Sequence, residues 1–330
     1  MRIAILRYQD VVPTSAVGPA DIFAALMRTY PRITGNPLKV QFEIDFITED
    51  KGHFMKTPFD TSVQKKLGTT DVYDLIIIPA MFSNRIEKVV QREQKLIGWI
   101  GEQYRKKSEV ASICVGAFML AATGLLNRKK ATTNWMFADL FRKMYPEVLL
   151  EDDKIIIDQG HIYTCGAAFS FTTFMIYFIE KFVGHEEAVM ASKILMINMH
   201  QQPQSSFSIF QFQRDHSDED IIKVQSFIEK EYSEPMTIDE MAGLCNMSPR
   251  NFIRRFEQAT GNTPLEYLQR VRIEAAKKFL ENKNYTIEQV AFKCGYEDMS
   301  FFRKVFKRYL DMAPKEYKEK YGKGNLPVRK

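Results

Sequence analysis

The sequence predicts two units of different class: an α/β sandwich with a mostly parallel sheet over residues 1–200, and an all-α tandem of helix-turn-helix segments over residues 218–322. Three observations carry this expectation. Strand-like and helix-like segments alternate through the first 200 residues, the pattern of a sheet covered on both faces. From residue 237 a helical pattern is repeated about 50 positions later. Between the two, residues 201–217 are polar, rich in Gln and Ser, and without helical period, which reads as a linker.

In the first unit Arg2-Ile3-Ala4-Ile5-Leu6-Arg7 is a short strand. Gly18-Pro19 precedes a helical segment with Ile22, Phe23, Leu26 and Met27 apolar, and residues 40–48 alternate as a second strand. Asp74-Leu75-Ile76-Ile77-Ile78-Pro79 is a continuous apolar run, expected of a strand buried on both faces. Residues 86–104 read as one helix, 109–114 as a strand and 116–126 as the helix after it. Strands near Ile155-Ile156-Ile157 and Ile162-Tyr163-Thr164 follow, then helices over 169–183 and 186–199.

Within this unit Ile113-Cys114-Val115-Gly116-Ala117 has the form of a nucleophile elbow, a cysteine at a strand end followed by a glycine and a helix. The positive end of that helix would lower the thiol pKa. A small buried residue at the end of a strand fits the position equally well.

In the second unit Thr237-Ile238-Asp239-Glu240-Met241-Ala242 returns as Thr286-Ile287-Glu288-Gln289-Val290-Ala291, 49 positions on. After one inserted residue Phe252 falls on Phe302, Phe256 on Phe306 and Pro264 on Pro314, at an offset of 50. Each copy reads as helix, tight turn, helix. Thr237 and Glu240 form a capping box, Asn246-Met247 turns, and Ser248 caps a second helix with Pro249 at its first position. Gly261 stops that helix. In the second copy Thr286 caps, Gly295-Tyr296 turns and Asp298 starts the second helix. The phenylalanines point inward; Arg250 and Arg254 point outward beside Asn251 and Ile253, as do Ser300, Lys304 and Lys307 beside Arg303. Residues 264–280 form one helix between the copies, with Leu265, Leu268, Val271, Ala275, Ala276 and Phe279 apolar. A rod of roughly 25 Å can hold two reading helices about one duplex turn apart. A merely solvated basic helix would look the same once, but the pattern occurs twice.

Composition points the same way. At 330 residues, 45% hydrophobic and 26% charged, the chain is that of an ordinary globular protein with room for two cores. From residue 241 onward 19 Lys and Arg face 10 Asp and Glu, against 27 and 31 before it, so the basic excess sits in the second unit and suggests an acidic partner. Cys114, Cys165, Cys245 and Cys294 form no metal-binding spacing, so no metal and no cofactor are expected. No apolar run reaches the length of a membrane span, and a cytoplasmic protein with reduced thiols is expected.

The run Ser248-Pro249-Arg250, Phe256, Gly261, Pro264, Tyr267, with Ala291-Phe292-Lys293-Cys294-Gly295-Tyr296, Phe301-Phe302-Arg303, Phe306-Lys307, Pro314 and Tyr317, resembles the AraC/XylS family of bacterial transcription regulators over about 100 residues. The block Ser112-Ile113-Cys114-Val115-Gly116-Ala117-Phe118, with Leu120-Ala121-Ala122-Thr123-Gly124-Leu125-Leu126, Ala131-Thr132-Thr133-Asn134-Trp135, Gly18-Pro19 and Thr164-Cys165-Gly166-Ala167, resembles the ThiJ/PfpI (class I glutamine amidotransferase-like) superfamily. The resemblances imply a flavodoxin-like first unit that senses a small molecule and dimerises, and a second unit that reads double-stranded DNA, with RNA polymerase as a further partner. They place Arg250, Asn251, Ile253, Arg254, Arg255, Met299, Ser300, Arg303, Lys304 and Lys307 against DNA, and Cys114, Asn134 and Gly166 against the effector. Arg255 and Lys307 are expected on phosphate, Arg250, Arg254, Ser300, Arg303 and Lys304 at base edges, and Ile253 in an apolar contact such as a thymine methyl.

Departures from the second pattern matter for activity. Asn134 stands where that superfamily often has a histidine, Ser15 where it has an acid, and Ala80-Met81 where it has a glycine pair. An amide accepts no proton near neutral pH, so the base of a Cys–His pair is missing and no catalysis is expected. The competing reading is a cysteine hydrolase or amidase using Cys114, fused to a DNA-binding unit. Residues 323–330 are expected to be a flexible tail.

Overall fold

The computed structural model describes residues 1–49, 63–68, 70–199, 203–210, 212–214, 216–282 and 284–323, so the expected tail beyond 323 lies outside the described residues. The chain divides into two compact units, Met1–Gln204 and Ser205–Lys330.

The strands of the first unit are β1 (Arg2–Arg7), β2 (Glu43–Thr48), β3 (Val63–Lys66), β4 (Leu75–Ile78), β5 (Glu109–Ile113), β6 (Lys130–Ala131), β7 (Leu149–Leu150), β8 (Ile156–Asp158) and β9 (Ile162–Cys165). The main sheet runs β3-β2-β1-β4-β5-β9-β8, parallel except where β8 meets β9, while β6 and β7 form a separate short ladder. Setting aside the edge strands β3 and β8, this is the flavodoxin-like doubly wound order, as expected. Such sheets bind ligands beyond the carboxyl ends of their strands. All four residues of β4 are fully buried, which is why their run carries no polar alternation.

The helices are α1 (Pro13–Thr34), α2 (Ile86–Arg92), α3 (Gln94–Arg105), α4 (Ala117–Ala122), α5 (Ala138–Met144), α6 (Phe171–Phe182) and α7 (His185–Ile194). Several differ from expectation: α5 was not foreseen, α7 ends at Ile194 rather than 199, and three others depart as follows. The first begins at Pro13 rather than after Gly18-Pro19, because burial of Ser15, Ala16 and Pro19 holds that turn helical against local propensity. A Cβ on Gly18 would strike the Phe171 ring, so glycine lets α1 close on α6. The helix expected over 86–104 is two helices, parted at Glu93, whose backbone (φ −87°, ψ 25°) leaves the helical region while its carboxylate takes Arg92 Nε at 2.8 Å. The helix after Cys114 is only six residues long, behind a 3-10 turn at Cys114–Gly116. Strand β3, Val-Gln-Lys-Lys, was not foreseen, being too short and polar to signal itself.

The second unit comprises α8 (Glu219–Glu231), α9 (Ile238–Gly243), α10 (Pro249–Thr260), α11 (Pro264–Glu281), α12 (Ile287–Lys293), α13 (Met299–Leu310) and α14 (Pro314–Tyr321). Both capping boxes form, Thr237 with Glu240 and Thr286 with Gln289. Asp298 caps α13 as expected, whereas Ser248 holds an extended N-cap backbone without a side-chain capping bond. The turns sit at Asn246 (φ 53°) and Gly295 (φ 76°), equivalent in the repeat. A Cβ at Gly295 would lie 2.5 Å from Ser233 O, so only glycine fits there.

Helix α11 serves both copies. Tyr267, Leu268 and Val271 join one core with Phe252 and Phe256, and Ile273, Ala276 and Leu280 join another with Phe302 and Phe306. Leu265, expected inward, is 45% exposed; Tyr267 takes the buried place. The stretch expected as a linker is partly built in: Gln204 and Ser206 are buried, Ser206 Oγ donates to Leu310 O at 2.8 Å, and Phe210 N donates to Glu274 Oε1 at 2.9 Å. Among the described residues no helix is long and apolar enough to cross a membrane.

Candidate ligand site and nucleic-acid interface

The expected elbow forms at the carboxyl end of β5. Cys114 has φ 54°, a conformation most side chains avoid and one that recurs at strained functional positions. Gly116 makes the turn possible: a Cβ there would strike Pro79 O and come within 2.7 Å of Ile78 O. Thr133 Oγ1 donates to Cys114 O at 3.0 Å, tying the elbow to the next loop. Asn134 lies near enough to the Cys114 sulfur to draw its pKa down, and its Oδ1 accepts from Met136 N at 2.9 Å.

The thiol differs from expectation. Burial pushes its pKa up to about 11, against the smaller pull of hydrogen bonds from Val115, Asn134 and Ala168. Cys114 is 4% exposed and α4 is a short helix, so desolvation outweighs any dipole. The group is a thiol, not a thiolate, at neutral pH. The other catalytic positions are occupied too. Ala80 N donates to Ser15 Oγ at 2.9 Å, and Ser15 Oγ donates to Val12 O at 2.7 Å, so that amide is not open to an oxyanion. Among the described residues His161 lies 3.4 Å from Glu109, His185 2.8 Å from Glu180, and His216 3.0 Å from Gln225.

Sequence reasoning missed one residue here. A Cβ on Gly166 would fall inside the side-chain amide of Gln204. That amide is 2% exposed. Its Nε2 approaches Lys154 O at 2.8 Å, Thr133 O at 2.9 Å and Thr132 Oγ1 at 3.1 Å, and its Oε1 accepts from Trp135 N at 3.3 Å. Nothing in a polar Gln-Ser-Pro stretch distinguishes this glutamine from its neighbours.

On the second unit Arg250 and Arg254 of α10 are exposed, as are Ser300, Arg303, Lys304 and Lys307 of α13, with Asn251, Ile253 and Met299 half-buried. Arg254 bonds Asn251 Oδ1 at 3.0 Å and Gln258 Oε1 at 3.4 Å, surface contacts a base edge can replace. Arg303 lies near Glu288, whose carboxyl is kept acidic mainly by hydrogen bonds from its own backbone and the Thr286 side chain, with Arg303 adding a smaller pull. Arg250, Lys304 and Lys307 have no side-chain partner among the described residues. Arg255 is the exception to the expected set. Its guanidinium clamps Asp218 in two bonds of 2.7 and 3.0 Å and reaches Asp220 at 3.2 Å. Asp218 is held below the usual carboxylate range mainly by that contact. A cation so engaged braces α10 against the start of α8.

Residues 1–181 match the model described as the DJ-1/PfpI family, and residues 241–320 match one described as a helix-turn-helix domain. The chain is 24% identical over 223 residues to the HTH-type transcriptional regulator CdhR of Pseudomonas aeruginosa, covering 67% of this chain and 66% of that one. It is 25% identical over 216 residues to the HTH-type transcriptional regulator GlxA of Rhizobium meliloti, covering 64% and 66%. Each match thus spans just under two thirds of the relative's length. A ThiJ/PfpI family protein from Pseudomonas syringae, known from its crystal structure, superposes with a TM-score of 0.49 at 16% identity, over 63% of this chain and 79% of that one.

Proposed function

The chain belongs to the DJ-1/PfpI family, and from that premise we propose that it is a sequence-specific, DNA-binding transcription regulator whose first unit binds a small-molecule effector. The observation that carries the DNA reading is the repeat: two helix-turn-helix copies each bury paired phenylalanines and leave cations on the outer face of their second helix. Residues 218–322 form the reading domain. Arg250 and Arg254 meet base edges from α10 with Asn251 alongside, and Ile253 meets a thymine methyl. Ser300, Arg303 and Lys304 read from α13 beside Met299, and Lys307 meets phosphate. The protein works as a cytoplasmic homodimer joined through its first unit, with RNA polymerase as its further partner.

The effector site lies at Cys114, Asn134 and Gly166. Its support is an elbow kept in its strained form while the groups that catalysis needs are protonated, replaced or engaged. Selection of binding sites from random duplexes by the whole chain tests the DNA reading; recovery of unselected sequence overturns it. Turnover of amides or α-oxoaldehydes that disappears in Cys114→Ser would replace effector binding with the cysteine-hydrolase reading.

A further inference from the structure

The best-built polar place in the first unit is filled by the chain itself. Gln204 is the last residue of that unit, and one 3-10 turn, Gln204–Phe207, carries the chain onward from it. Its carboxamide sits over Gly166, beside the Thr133-Asn134 stretch that grips Cys114. The donors and acceptors there are specific. Three oxygens, Lys154 O, Thr133 O and Thr132 Oγ1, surround the amide nitrogen, and one N–H, from Trp135, faces the amide oxygen. A carboxylate would set negative oxygen against carbonyl oxygens, and an ammonium would leave the Trp135 N–H without an acceptor. A primary carboxamide fits this arrangement: its two N–H groups face the three oxygens, of which Lys154 O also accepts from Thr132 Oγ1 at 2.9 Å, and its C=O meets the Trp135 N–H.

We propose that the place occupied by the Gln204 side chain is the polar subsite of the effector site, selective for a primary carboxamide, and that an effector bearing this group enters by displacing Gln204. The inference rests on the effector reading above and adds the chemistry of the ligand. Gly166 is the residue that makes room, since any Cβ there fills the subsite. Displacement reaches the connector directly, because the displaced side chain and the backbone N of Gln204, which donates to Asp153 O at 2.8 Å, hold the start of that turn.

The test is rescue by acetamide, the group that Gln204→Ala deletes. In the full-length Gln204→Ala protein, hydrogen exchange at the Trp135 amide should rise by about tenfold as its acceptor is lost. Acetamide at about 100 mM should restore most of that protection, while acetate should not. Gly166→Ala should raise exchange likewise by expelling the Gln204 amide, yet acetamide should leave it unchanged, because the new methyl fills the space. Acetamide acting no better than acetate on Gln204→Ala, or equally well on Gly166→Ala, overturns the subsite. DNA affinity is measured on the same samples. Rescue that leaves DNA affinity indifferent keeps the carboxamide subsite and removes the effector reading; failure of rescue removes the subsite and leaves that reading to its own test.

Discussion

Around Cys114 many polar groups are tied to one another, the buried Ser112 Oγ excepted: Ser15 holds the Ala80 amide, Thr133 the Cys114 carbonyl, Asn134 the Met136 amide, and Gln204 the loop at Thr132 to Trp135. On the outer faces of α10 and α13 the opposite holds, for Arg250, Lys304 and Lys307 lack partners among the described residues. The first region must give up contacts before it can take a ligand. The second is ready for an anion, although Arg255 is held by Asp218 and Arg254 by Asn251 and Gln258. A buried site closed in this way favours selectivity, whereas open surface cations favour fast, salt-sensitive association.

The contrast is broken most sharply by paired glycine substitutions. Gly116→Ala drives a methyl into two main-chain carbonyls and should destabilise the first unit by about 3 kcal/mol. Gly243→Ala, with nothing within 4 Å of the added carbon, should be neutral or stabilising by up to about 1 kcal/mol. Urea unfolding followed separately in each unit reads both; similar losses would mean the elbow is no tighter than the helix surface.

Next in size is Arg254→Ala, which should cost about 1–3 kcal/mol at the preferred site and relax preference at one or two base pairs. Lys307→Ala should instead weaken all sequences alike and lower the slope of log affinity against log salt by about one unit. Binding titrations at several salt concentrations compare them. Arg254→Ala with full sequence preference would show that α10 is turned differently in the groove.

Arg255→Gln sharpens the same line from inside the unit. It should leave the salt slope nearly unchanged but make the second unit more acid-sensitive. Asp218 has a depressed pKa when folded, so its contribution is present above its unfolded pKa of about 3.9 and is lost as pH falls through the lower folded value. Without Arg255 that contribution shrinks, and the acid midpoint by circular dichroism should move up. Smallest of all is Cys114→Ser, expected to leave DNA affinity unchanged. With the wild-type thiol titrating at about 11, its alkylation at pH 7 should run roughly a hundredfold slower than that of a free cysteine and quicken at alkaline pH.

These regions were also unequally legible in the sequence. The reading helices were visible because local signals agree with the fold: Thr237 and Thr286 cap, Asn246 and Gly295 turn, and the phenylalanines recur at helical spacing. The elbow was legible as Cys114 before Gly116, but its chemistry was not, since the thiol's pKa depends on burial by distant segments. The Arg255–Asp218 clamp and the seat of Gln204 were hidden for one reason. The partners, Asp218 at 37 positions and Thr132 at 72, are set only by tertiary structure. Glu93 likewise broke a helix that periodicity alone made continuous.

Helix α11 carries one more consequence. Its first half is locked into one core and its second half into the other, without a loop between them over 18 residues. A single residue inserted near its middle would turn everything beyond it by about 100° and advance it about 1.5 Å. The second copy's cations would then face a different azimuth from the first copy's, although each copy kept its own fold. The rod therefore acts as a phase gauge. Insertions there should be far less tolerated than in the turn around Gly295, where the two repeats already differ by a residue.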